Sequence, residues 1–381
     1  MTSPALPKYQ DLSHLIETEI TSGRWREGRM PGLRELAAEY GVSVVTASRA
    51  VRVLREKGLV QSVHRSGNFI VAEADRGIAD VGDGRTWAVC FRTTPGPWQR
   101  ASSSVTMAGF ETVAAHRGFL LDPFTFAIDD TTSRDAIGGQ VRRALEQGVA
   151  GVFLLPSRIS DVSLQRDEWL LESCKAAELP AVLIERNLRG DDRRLEWDLV
   201  GTDDLRGGFE CTRHLLDGGR RRIAFVHAGP TSGHNERLAG YLLALCKAGG
   251  ADDPGRYPPL VLEHRLDVAN KQAFGRLAER LLELSADSVF CYQDTVAMGL
   301  ILELLARRVR IPEDVAFVGY DDLPIGNSFS LGLTTYQLDS ERVAEEAFRV
   351  MEQRVLEPGS APIKVAVPGR LIVRESSSSV A

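Results

Sequence analysis

The amino-acid sequence predicts an α/β protein: an N-terminal winged helix-turn-helix, then a larger domain of two lobes, each a doubly wound parallel sheet. Three observations carry that expectation. Residues 12–54 repeat apolar positions at helical spacing, and two short strand-like runs follow before residue 71. Beyond residue 86, unbroken apolar runs alternate with amphipathic helical stretches, the pattern of parallel strands covered on both faces. The alternation pauses after residue 184 and starts afresh at 207, giving two such units in series.

Leu12, Leu15, Ile16 and Ile20 set the first helical rhythm, which stops at Gly23, and residues 28–31 make a break. Leu33, Leu36, Ala37 and Tyr40 fall at i, i+3, i+4 and i+7, one buried stripe, and Gly41 supplies the permissive backbone of a tight turn. Ser43 caps a third helix in which Ala47, Val51 and Leu54 face inward, while Thr46, Ser48, Arg49 and Arg52 lie largely outside the stripe. Gly58 ends that helix. Residues 59–61 and 64–70 then predict two strands around a polar turn, a wing. In such an arrangement one helix braces while the other presents side chains to base edges in a major groove.

The boundaries follow from composition. Residues 1–72 form the winged helix, and 73–85, Gly/Asp-rich and without an apolar period, form a linker. In the first lobe, strands fall at 87–91, 149–155 and 181–184, an extended run at 119–126, and helices at 102–117, 133–147 and 169–177. In the second, helices fall at 207–216, 237–248, 272–284 and 295–306, strands at 222–227, 288–291 and 315–320, and an extended run at 259–262. Two such lobes imply a cleft, because these sheets collect ligands beyond the carboxyl ends of their strands.

Composition excludes several function classes. A net charge of -6 is wrong for a protein that coats nucleic acid over its whole surface, so DNA contact must come from a local patch. Between residues 40 and 72, Arg49, Arg52, Arg55, Lys57 and Arg65 stand against Glu56 alone. The 5 cysteines are widely spaced and never form CxxC, which predicts reduced thiols and no zinc site. The N-terminus lacks the features of a secretory signal, and no apolar run approaches the roughly 20 residues that span a bilayer. A cytoplasmic chain without a membrane partner is expected. With no phosphate loop, GxGxxG, HExxH or nucleophile elbow, neither an enzyme nor a cofactor or metal is expected.

The run from Met30 to Ser43, MPGLRELAAEYGVS, together with Thr46, Arg49-Ala50, Leu54, Lys57-Gly58-Leu59-Val60 and Gly67-Asn68-Phe69-Ile70, resembles the GntR-type winged helix over about residues 9–71. The resemblance implies that Arg34, Ser43, Thr46, Arg49 and Gly67 approach double-stranded operator DNA. Val44, Ser48, Arg52 and Arg65 join them by position. The family often has arginine where this chain has Val44 and Ser48, so the operator sequence stays open.

A second resemblance covers about residues 86–375. The runs DGGRRRIAF at 217–225, NERLAGY at 235–241, ADSVFCYQD at 286–294, IPEDV at 311–315, VGYDD at 318–322 and LTT at 333–335 are similar to the LacI-type regulatory core, which has the periplasmic sugar-binding fold. It implies three crossings between lobes, near 185–189, 337–340 and 368. The first lobe then spans about 86–186 and 339–367, the second about 190–336 and 368–375, and 376–381 is expected to be a disordered tail. It further implies a sugar-like effector gripped by Arg237, Gln293, Asp294 and Asp321, with Trp98, Ser157 and Arg158 lining the opposite wall. Asp294 also suits a helix cap, Asp321 and Asp322 a turn pair, and Trp98 a core position; Arg158 hints at an anionic effector. The expected function is a homodimeric DNA-binding transcriptional repressor. A solute-binding transport component and an enzyme with a DNA-binding arm are the alternatives, lacking an export signal and a catalytic motif respectively.

Overall fold

The structure, a computed structural model, describes residues 12–13, 15–16, 19–20, 29–56, 60–63, 67–70, 85–91, 99–123, 125–157, 160–189, 194–229, 231–250, 256–263, 271–324 and 331–378. It divides into two compact units, residues 1–84 with 114–120, and residues 85–113 with 121–381. The expected linker at 73–84 lies outside the described residues.

In the N-terminal unit, helices α1 (Leu33–Glu39) and α2 (Val44–Glu56) pack with the helical residues around Ile16 against a small sheet. Ile16, Leu36, Ala47, Ala50 and Leu54 are fully buried, as the helical spacing requires. The turn between the helices is a C-terminal Gly motif: Gly41 sits at φ +61°, and Val42 N–H donates to the Ala37 carbonyl at 3.0 Å. The sheet order is β1 (Arg29–Met30), β3 (Gly67–Ile70), β2 (Val60–Val63), antiparallel throughout. Residues 29–30, taken from the sequence as part of a break, thus add a third strand to the wing. Two residues are too few to show a strand period.

Among the described residues, the larger unit holds two six-stranded sheets. The first runs β14 (Lys364–Val367), β8 (Asp198–Thr202), β7 (Ala181–Ile184), β6 (Val149–Leu155), β4 (Thr86–Phe91), β5 (Leu120–Asp122), parallel from β14 to β4. Helices α3 (Gln99–Arg117), α4 (Arg134–Glu146), α5 (Asp161–Ala176) and α10 (Ser340–Leu356) accompany it. Phe348 of α10 packs on Phe153 and Trp87, with centroids at 5.0 and 6.4 Å, which returns this late helix to the first lobe. The second sheet runs β10 (Leu260–Glu263), β9 (Ile223–His227), β11 (Ser288–Cys291), β12 (Ala316–Tyr320), β13 (Thr334–Gln337), β15 (Arg370–Ile372), parallel except for antiparallel β15. It carries α6 (Asp204–Asp217), α7 (Ser232–Gly249), α8 (Lys271–Glu283) and α9 (Asp294–Ala306).

Three expectations need correction. Strand β8 belongs to the first sheet, so the first crossing follows Thr202 rather than lying at 185–189, and the second lobe begins with α6, not at 190. Its sequence, DLVGT, buries an aspartate beside only two large apolar residues and so hides the strand period. Helix α7 starts at Ser232 with Thr231 as its cap, placing Arg237 inside the helix instead of at its start. Residues 376–378, expected in a disordered tail, are built into the second lobe. Ser376 is fully buried, its hydroxyl donates to the Phe317 carbonyl at 2.8 Å, and it accepts from Thr334 N–H at 2.8 Å.

Helices α6 and α7 cross at backbone contact. A methyl on Gly208 would lie 2.2 Å from the Arg237 carbonyl oxygen, and one on Gly240 would lie 2.2 Å from that of Leu205. Only glycine permits this approach, which brings Arg237 over the first turn of α6.

Candidate functional site

Two surfaces gather the residues singled out above. The first is the front of α2. Ser43 caps the helix, accepting from Thr46 N–H at 3.1 Å, and its hydroxyl also pairs with Thr46 Oγ1 at 2.8 Å. Val44 is 46% exposed, and Ser48, one turn along the same face, is exposed too. The opposite face, Ala47, Ala50, Val51 and Leu54, is buried. Gly67 opens β3 opposite Val63 in the wing. Arg34, Arg49 and Arg52 have their backbones in α1 and α2, but their side chains, like all of Arg65, lie outside the described residues.

The second surface lies at the carboxyl ends of the strands in the larger unit. Arg237 Nε donates to Asp204 Oδ1 at 2.7 Å and Nη1 to the Tyr292 carbonyl at 2.5 Å; the guanidinium lies 3.6 Å from the Tyr320 ring centroid. Tyr320 in turn donates to the same Asp204 oxygen at 2.9 Å. Burial opposes the arginine's charge, but Asp204, with Tyr320 and Asp321, outweighs it and raises the pKa, so the guanidinium stays charged.

Gln293 follows β11 and donates from Nε2 to Asp321 Oδ2 at 3.2 Å, while its Oε1 accepts from Thr295 at 3.1 Å. Asp321 and Asp322 both adopt left-handed backbone, φ +100° and +48°, pinned by N–H bonds to the Tyr336 carbonyl at 3.0 Å and Thr335 Oγ1 at 3.2 Å. The two aspartates then diverge. Asp322 is held by Arg374 at 2.7 Å and Gln337 at 2.6 Å, whereas Asp321 turns to Gln293. Arg237, Gln293 and Asp321 are therefore brought together.

Asp294 is different. It is fully buried, with one oxygen accepting from Leu323 N–H at 2.7 Å and the other from Thr335 at 2.6 Å, so it braces α9 against β13. Burial pushes its carboxyl well above the usual carboxylate range. On the first lobe, Ser157 is buried and gives its backbone N–H to Asp167 at 2.5 Å. Trp98 and Arg158 lie outside the described residues.

Glu185, missed as a site residue in the sequence, stands at the end of β7 with φ +63°. Its Oε2 accepts from Thr202 N–H at 3.0 Å; Oε1 is sealed from solvent with no hydrogen-bond partner among the described residues, although the residue as a whole is only half-buried. A methyl on Gly201 would lie 2.6 Å from the Glu185 Cα, so β8 presses directly on it. Burial first, and the nearby Asp204 charge against the opposing pull of the Thr202 N–H and Arg237, push this carboxyl up from 4.5 to about 7. Nothing in the residue's identity announces this; its chemistry comes from what folds around it. Among the described residues, contacts that tie the first lobe to α7 include Asn187 N–H donating to Ser232 Oγ at 2.8 Å and Lys364 pairing with Glu236.

The raised carboxyl has a measurable consequence. The folded protein retains a proton that the unfolded chain sheds, so this group's stabilising contribution is full below about pH 4.5 and is lost as pH rises through about 7. Glu185→Gln removes the titration. Unfolding measured at a series of pH values is expected to show the variant gaining on the native protein between about pH 5 and 8, by on the order of 3 kcal/mol. Parallel curves would refute the shift.

Residues 8–70 match the family described as bacterial regulatory proteins, gntR family, and residues 212–377 match the periplasmic binding protein-like domain. The chain is 32% identical over 232 residues to the HTH-type transcriptional regulator CelR of Thermobifida fusca, covering 60% of this chain and 64% of that protein. It is 27% identical over 210 residues to the HTH-type transcriptional regulator DegA of Bacillus subtilis, covering 55% and 59%. The chain thus spans about three fifths of the length of the first curated relatives it matches. An end-to-end match, 23% identical and covering 97% of this chain and 96% of the other, is to the arabinose metabolism transcriptional repressor of Halalkalibacterium halodurans. Among solved structures, a LacI family transcriptional regulator from Enterococcus faecium with bound ribose has TM-score 0.59 at 23% identity, covering 78% of this chain and all of that one. A CelR–cellobiose complex has TM-score 0.59 at 23% identity, covering 91% and 100%. At these identities the structural likeness establishes the two-lobed fold. Among the described residues, no helix is long and apolar enough to cross a membrane.

Proposed function

We propose that this chain, a gntR-type helix-turn-helix joined to a periplasmic-binding-protein-like domain, is a transcriptional repressor that binds operator DNA through α2 and a small polyhydroxylated effector through the larger unit. What carries the reading is the joining of an α2 front exposed at Val44 and Ser48 with a polar cluster at strand ends, Arg237, Gln293 and Asp321, in one molecule. The curated relatives support it, being named transcriptional regulators and repressors. The ribose and cellobiose in similar structures support a sugar-like effector.

In this reading Arg237 supplies fixed donors, Gln293 both donor and acceptor, and Asp321 an acceptor from the second lobe, while Glu185 offers from the first an oxygen that has no partner among the described residues. Asp294 keeps Asp321 in place from behind through Leu323 and Thr335. A bound effector bridges the lobes and fixes their angle. The repressor acts in the cytoplasm as a homodimer, presenting two copies of α2 to the half-sites of a palindromic operator. A tenfold change in operator affinity requires about 1.4 kcal/mol of differential effector binding between the DNA-competent state and the other.

Melting temperatures taken with ribose, arabinose, cellobiose, their acids and their phosphates test the ligand half. A ligand held only by the folded state raises the transition, by about 2.7 kcal/mol of stability at a hundred times its Kd. A rise with at least one sugar, lost in Gln293→Ala, is expected. Flat curves across the panel would remove the sugar-like effector.

A further inference from the structure

We propose that Val44 reads the 5-methyl group of a thymine in the major groove, with Ser48 touching the adjacent base edge, so that each half-site carries an obligatory thymine at the position facing Val44. The proposal rests on the DNA-binding reading above and specifies what the helix recognises.

Val44 is the first residue of a 13-residue helix and is 46% exposed. A β-branched residue gives the helix no propensity advantage there, and the capping is done by Ser43, so helix stability does not account for it. The polar groups around it are already engaged: the Ser43 hydroxyl accepts from Thr46 N–H at 3.1 Å and pairs with the Thr46 hydroxyl at 2.8 Å. That leaves Val44 and Ser48, on one face a turn apart and both exposed, as the described side chains of the helix front that no hydrogen bond at the cap engages. Neither carries a charge or a long stem. Arginine at such positions grips guanine O6 and N7, whereas the thymine methyl is the apolar feature that a major-groove edge presents, and valine fits it. Both side chains are short, so the contact demands close approach of the helix N-terminus to the duplex. No acidic residue stands in the first turn to repel the phosphates.

The test begins with the full chain selecting sites from a random duplex pool. Each thymine of the selected half-site is then replaced in turn by deoxyuridine, which deletes the methyl and leaves base pairing intact. One position per half-site is expected to lose about threefold to fivefold in affinity, the effect of burying a single methyl group. Val44→Ala, at an exposed position that leaves the melting temperature unchanged, is expected to bind thymine and uracil equally there while keeping the remaining preferences. A defined site whose deoxyuridine series is flat, or whose methyl sensitivity survives in Val44→Ala, overturns the assignment and leaves DNA binding standing. A pool in which no sequence is enriched overturns both.

Discussion

Arg237→Ala is expected to lower the stability of the folded protein by about 3–5 kcal/mol, because it strands a buried carboxylate without its countercharge. The Asp204 side chain is 3% exposed and has Arg237 at 2.7 Å and the Tyr320 hydroxyl at 2.9 Å as its partners on Oδ1. Removing the guanidinium also leaves the Tyr292 carbonyl without that donor and uncovers the Tyr320 ring. Denaturant unfolding followed by circular dichroism measures the loss. The double variant Arg237→Met, Asp204→Leu is the informative control. It removes both charges while keeping volume, so it is expected to recover much of the stability and none of the effector binding. A single variant as stable as the native protein would show that the pair does not form.

Asp198→Ala is expected to cost a similar amount, about 3–5 kcal/mol, in the other lobe. Arg354 holds Asp198 with two parallel bonds, Nε to Oδ2 at 2.8 Å and Nη2 to Oδ1 at 2.9 Å, and the Asp198 side chain is 1% exposed. The same carboxylate accepts from Ile363 N–H at 2.9 Å, and the same guanidinium donates to the Ser360 carbonyl at 2.6 Å. One ion pair thus fastens β8, the end of α10 and the approach to β14. Those strands lead into two of the three crossings between lobes, so loosening them is expected to blur ligand response as well as stability. Asp198→Asn keeps the shape and one acceptor, and a smaller loss is expected. Equal losses from Asn and Ala would mean that the charge contributes little.

These two pairs mark how far the sequence is legible. The stripe Leu33, Leu36, Ala37, Tyr40 and the buried face of α2 are visible because helical periodicity is local and each residue reports its own side. Strands β9, β11 and β12 of the second lobe are visible for the same reason, as short apolar runs, whereas β13, TTYQ, and the three-residue β15 show no such run. Arg237 is recognisable by its motif, yet its helix begins five residues earlier, under polar residues with a glycine among them that show no stripe. The Asp198–Arg354 pair joins residues 156 apart, and no local pattern encodes it. Strand β8 is hidden because it buries a charge that only the distant arginine makes tolerable. Asp294 and Asp321 each follow a strand in their own motif, but the fold gives them opposite duties: two internal donors turn one into a brace, and a left-handed backbone turns the other toward Gln293. Ser376 looks like the start of a polar tail, and becomes buried because Phe317 and Thr334 accept and supply its hydrogen bonds.

The most direct measurement is the affinity of the full chain for its selected operator, by fluorescence anisotropy, with and without the sugar that most raises its melting temperature. At least a tenfold change on saturation with that sugar is expected, reduced to the unliganded value in Gln293→Ala. Equal affinity with and without a sugar that demonstrably binds would contradict the coupling between the two units on which the repressor reading depends.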